Sequence, residues 1–162
     1  MGSFWKKKMA EREAAYIFVN EVMKSVQQTL PGISKDLEGI SGHPIPDEQD
    51  ALFELLLAVV AIQIKGLPNF LTVDQAKRMR EHILEFVSPP DLGLYPRDVI
   101  REYWSAWDRS QELDPFGDAM QLLCAKLGYS RERNIMIRFV LDRYIVLLCC
   151  FKRLFEDYRL VP

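Results

Sequence analysis

The residues able to carry chemistry are few and dispersed. Two histidines stand at His43 and His82, and three cysteines at Cys124, Cys149 and Cys150. None falls into the Glu-x-x-His or His-Glu-x-x-His spacing that sets metal ligands on one helix face. Neighbouring cysteines on a helix point about 100° apart, so a Cys149–Cys150 bridge would be strained. The cysteines read as small core hydrophobes of a reducing compartment, and the expected location is cytoplasmic. Neither a G-x-x-x-x-G-K-[ST] nor a G-x-G-x-x-G phosphate loop occurs, because the eight glycines are scattered. No pairing of nucleophile and base is encoded, nor a paired-carboxylate site. The expected cofactor and metal complement is none.

Arg133-Asn134 resembles the opening of the motif of the HEPN helical nucleases. Phe139 occupies the position of that motif's histidine, so the resemblance covers two residues and carries no activity. Arg131 and Arg133 fall in the first turn of the last helical segment, where positive charge opposes the helix dipole. They are candidates for holding an anion or an acidic partner, against the plainer role of pairing with carboxylates. Glu54 interrupts an otherwise apolar helix; a buried carboxylate there needs a partner, most simply an arginine of a neighbouring helix.

Residues that could bind are better marked. Tyr95, Arg97, Arg101, Trp104, Trp107 and Asp108 gather the side chains that dominate interface hot spots. Ile100, Tyr103, Trp104 and Trp107 share a helix face, and core is the plainer expectation for Tyr103 and Trp104. Phe4, Trp5, Lys6, Lys7 and Lys8 pair an aromatic anchor with three cations, a small version of a membrane-surface helix, against the plainer reading of residues 1–8 as a frayed, solvated terminus.

Charge is uneven along a chain whose net charge is only −2, which gives no reason to expect nucleic acid. Residues 1–33 carry net +2, residues 34–118 net −8 and residues 119–162 net +4. Such segregation predicts that the terminal helices pack beside the acidic middle. Its sharper implication is an acidic face that meets a basic partner.

The elements that must position these residues are all helical. With 162 residues, 49% apolar, the chain suits one domain, 1–162. Apolar steps of three and four predict a first helix from about Phe4 to Leu30, stopped by Pro31-Gly32. Residues 31–46 read as a long loop. Asp47 caps a second helix, ended by Gly66 and Pro68, in which Leu52 to Ile64 leave almost no polar face, hence central. The longest near-apolar stretch, Ala51 to Ile64, falls short of the ~18 residues that span a bilayer. Thr72-Val73-Asp74-Gln75 is a capping box opening a third helix, which Ser88-Pro89-Pro90 ends. A fourth helix begins near Pro96 and a fifth at Asp114-Pro115, stopping at Gly128. A sixth runs from Ser130 to about Leu160. No run alternates as a strand would. The fold class is therefore all-α: a single-domain bundle of five or six helices, with a central apolar helix and a long C-terminal one.

With no catalytic signature, the favoured function is a non-enzymatic protein–protein interaction module: a helical adaptor, chaperone or inhibitor-like protein. Its partner would be another protein, a basic one by the charge argument, or a second copy as a homodimer. A small helical enzyme with an uncoded site and a peripheral membrane protein are the alternatives.

Overall fold

A computed structural model describes residues 7–88, 95–109, 114, 117–129, 135–148 and 158–162. Six α-helices dominate: α1 (Glu11–Ser41), α2 (Glu48–Gly66), α3 (Val73–Val87), α4 (Tyr95–Arg109), α5 (Gly117–Cys124) and α6 (Ile135–Leu148). Two four-residue strands, β1 (Lys7–Ala10) and β2 (Tyr158–Val161), pair in parallel, with Lys7 opposite Tyr158 and Ala10 opposite Val161. The fold is all-α, as the periodicity predicts.

The central helix is α2. Asp47 caps it, its carboxylate accepting from the backbone N–H groups of Gln49 and Asp50. Every residue from Glu54 to Ile64 is buried. α1 and α3 pack on one another and on α2, α4 and α5 close the other side, and α6 lies on α1 and α5. By length and mean hydropathy the stretch Glu48–Asn69 could cross a membrane, which a search for an unbroken apolar run misses. Its most apolar window is 72% buried within the bundle, as a core helix requires.

Three sequence expectations are corrected. The first helix does not end at Pro31-Gly32: α1 continues through Pro31 to Ser41. Proline removes one backbone hydrogen bond, but Val26, Leu30, Ile33 and Leu37 keep the three–four spacing across it, and all are buried. The loop shrinks to residues 42–47. Gly42, at φ 79°, ends α1 and donates its N–H to the carbonyl of Glu38.

The second correction is at the N-terminal side. Residues 7–10 are strand, so the helix starts at Glu11. Lys7 and Lys8 are exposed on that strand rather than on an amphipathic helix, while Phe4, Trp5 and Lys6 lie outside the described residues. The third concerns the end of the chain. The described part of α6 ends at Leu148, and Tyr158–Val161 is extended, so no helix reaches Leu160. Tertiary pairing overrides local periodicity here, because Met9 and Leu160 are buried where the strands meet.

The acidic middle is met by cations from the flanking segments. Arg12 pairs with Glu85 at 2.7 Å, Lys126 with Glu102 at 3.0 Å, and Arg138 with Asp114. Tyr144 of α6 donates to Asp36 at 2.7 Å.

Candidate functional site

Four residues of α4, Arg97, Arg101, Trp104 and Asp108, line cavities beside α3. Val99, Ile100, Tyr103 and Ala106 turn into the bundle. Trp104 sits beside that stripe and is half-buried, a correction to its expected place in the core. The reason is polar: its indole Nε1–H donates to the carbonyl of Ala61 in α2 at 2.9 Å, which holds the ring upright at the α2–α4 seam.

Trp104 lines two cavities. The larger, about 500 Å³, is bounded by Ile64 and Lys65 at the end of α2, Pro68, and Val73, Ala76, Lys77 and Arg80 of α3, with Asp108 closing it. The smaller, about 240 Å³, lies between Arg80, Glu81 and Leu84 of α3 and Arg97 and Arg101 of α4. Arg80 and Trp104 belong to both. The two cavities adjoin across these side chains, a surface we term the α3–α4 groove, and their linings hold five cations against two acids.

The capping box is what aims the α3 wall. Thr72 accepts from the backbone of Gln75, whose side chain reaches back to Thr72. With the helix start fixed, Lys77 and Arg80 fall one turn apart on the groove side. Arg97 and Arg101 answer them from successive turns of α4. Some of this charge is neutralised locally: Lys65 binds Asp108, Arg80 reaches Glu81 at 3.1 Å, and Arg101 reaches Asp98 at 3.2 Å. Among the described residues Lys77 and Arg97 have no ion-pair partner.

Of the residues singled out in the sequence, Arg97, Arg101, Trp104 and Asp108 are thus brought together. Tyr95 and Trp107 are not. Tyr95 is 56% exposed, stacks on Phe53 with ring centroids 6.1 Å apart, and donates to Glu54. Trp107 is half-buried against the core. Arg131 and Arg133 lie outside the described residues. The α3 wall and Lys65 escaped sequence reasoning, although Lys77 and Arg80 at an i, i+3 step opposite Arg97 and Arg101 at i, i+4 are the signal that two basic helix faces would meet.

A second polar cluster lies inside the bundle. Glu54 is 7% exposed; it accepts from Tyr95 and Tyr103 at 3.3 Å each, and Lys126 Nζ stands 3.7 Å away. The expected partner of Glu54 is therefore a lysine and two phenols rather than an arginine. Burial, with the Glu54 charge second, holds the Tyr103 hydroxyl well above its ordinary range. Burial pulls the Lys126 ammonium down, but its hydrogen bond to Glu102 and the two carboxylate charges leave it raised overall. Among the described residues no three of His, Cys, Asp and Glu gather as metal ligands. Neither groove cavity is lined by Glu54 or His82.

No protein-family model, no curated protein and no solved structure matches this chain.

Proposed function

We propose that this protein is a non-enzymatic interaction module whose α3–α4 groove takes an acidic segment of a partner protein. The observation that carries the reading is Trp104: a fixed aromatic ring shared by the two cavities, whose linings also hold Lys65, Lys77, Arg80, Arg97 and Arg101. A ring held by its own hydrogen bond loses little freedom on binding, so an apolar anchor of the partner packs on a preorganised surface. The surrounding cations add orientation and a faster encounter with a negative chain. A basic partner draws less support, because Glu54, Glu85, Glu102 and Asp114 of the acidic middle already have internal cationic partners. The titratable groups of the groove are cations with Glu81 and Asp108, a set suited to holding charge rather than to moving protons.

The test is fluorescence polarisation with labelled peptides rich in Asp and Glu around one Leu or Phe anchor. Saturable binding is expected, weakening as salt rises, since exposed charges are screened within about 8 Å at physiological ionic strength. The Arg80→Glu/Arg97→Glu variant should lose it. Binding that survives this double reversal, or the absence of binding by any acidic peptide, overturns the reading.

A further inference from the structure

We propose that the outer face of α6 is a homodimer interface, built on a two-fold axis that passes opposite Leu141. Ile135, Met136, Phe139, Val146 and Leu147 are each more than half exposed. At 100° per residue they occupy one stripe about 120° wide, and the other side chain within it is Arg143. Leu141, Ile145 and Leu148 turn the opposite way, into the bundle. α6 thus has two apolar faces, and α1 and α5 cover the inner one.

A second copy of this chain is the occupant that the spacing fits. The stripe is symmetric about position 141: Ile135 mirrors Leu147, Met136 mirrors Val146, and Phe139 mirrors Arg143. Laid antiparallel on a copy of itself, α6 sets Ile135 and Met136 level with Leu147 and Val146 of the copy. It also sets the Arg143 guanidinium of each chain over the Phe139 ring of the other, a cation on the negative face of an aromatic. The flank is complementary too. Arg138 stands 3.9 Å from Asp142 within its own helix. In the antiparallel pair the copy's Arg138 comes level with Asp142 to within roughly 3 Å along the axis, at 1.5 Å rise per residue. Every contact occurs twice, as a closed isologous interface requires.

This inference is independent of the groove reading, since α6 shares no residue with the groove. The experiment is sedimentation equilibrium on the full chain and two variants, with helicity followed by circular dichroism. The wild type is expected as a dimer of the 18.9 kDa chain at tens of micromolar. Phe139→Glu should weaken dimerisation at least ~100-fold while keeping its helicity, as loss of a central aromatic anchor does. Val73→Glu, which charges an exposed apolar position away from α6, should remain dimeric. A second measurement reads the register without a destabilising change. In chains with Cys149→Ser and Cys150→Ser, Ile135→Cys mixed with Leu147→Cys should cross-link faster than Ile135→Cys alone. A monomeric wild type, a dimer that persists in a folded Phe139→Glu variant, or equal cross-linking rates would each overturn the proposal.

Discussion

Arg78 reaches from α3 to the first residue of α1 and grips Glu11 with two parallel hydrogen bonds, Nε to Oε2 at 2.8 Å and Nη2 to Oε1 at 2.9 Å. The Glu11 side chain is only 2% exposed, so this fork replaces its water almost entirely. The hydrogen bond to Glu11 outweighs partial desolvation and holds the guanidinium pKa above its ordinary value. Arg78→Met strands a buried carboxylate at the start of α1. Its melting temperature should fall further than that of the Glu11→Gln/Arg78→Met double variant, which removes charge and partner together. Thermal denaturation of the two variants checks the order.

The buried phenol of Tyr103 sets an alkaline limit. Below pH 10, the ordinary tyrosine value, folded and unfolded chains both keep the proton and Tyr103 contributes in full. Above it the unfolded chain ionises first while the folded one holds its proton, so stability falls as pH rises. Urea titrations between pH 8 and 11 should show this decline, with a shallower slope in Tyr103→Phe. At neutral pH the same variant should lose about 1–3 kcal/mol, because Glu54 forfeits a donor where water does not reach.

Three glycine substitutions should separate backbone strain from crowding. Gly42 and Gly128 both have positive φ, 79° and 91°. A Cβ at Gly42 meets open space, whereas at Gly128 it would stand 2.8 Å from Cγ of Pro46. Gly42→Ala should cost about 1 kcal/mol and Gly128→Ala clearly more. Gly39 lies inside α1 with nothing within 4 Å of the added carbon, so Gly39→Ala should stabilise by about 0.5–1 kcal/mol. Chemical denaturation of the three variants gives the comparison.

Cys124 should be chemically quiet. Burial pushes its thiol up from 9.0 to about 11, with the Asp142 charge adding to the effect. At pH 8 that two-unit rise lowers the thiolate fraction roughly 100-fold. Peptide-level mapping of iodoacetamide labelling should find Cys124 modified in urea and spared in buffer.

The helical class, the Asp47 cap, the Thr72 capping box and the central placement of α2 were all legible in the chain, because each is a local signal that tertiary packing reinforces. Pro31 shows where a strong local signal misleads. The apolar series Val26, Leu30, Ile33, Leu37, Ile40 passes straight through it, and the burial along that series decides the outcome. The strands were illegible for a different reason: four residues are too few to show alternation, and their partner lies at the other end of the chain. Half of the groove was visible as the Tyr-Trp-Arg composition of α4. Its α3 wall was not, since Lys77 and Arg80 look like any solvated helix face until α4 is placed opposite.

The pairing of β1 with β2 has a kinetic corollary. The two segments are about 150 residues apart, and a parallel pair of four-residue strands is too short to persist unaided. They can join only after α1 and α6 have docked and brought Met9 and Leu160 within reach. During synthesis β1 therefore waits unpaired until residues 158–161 have emerged from the ribosome. The clasp is thus a late, high-contact-order event, and amide protons of residues 7–10 should be the last to gain protection during refolding.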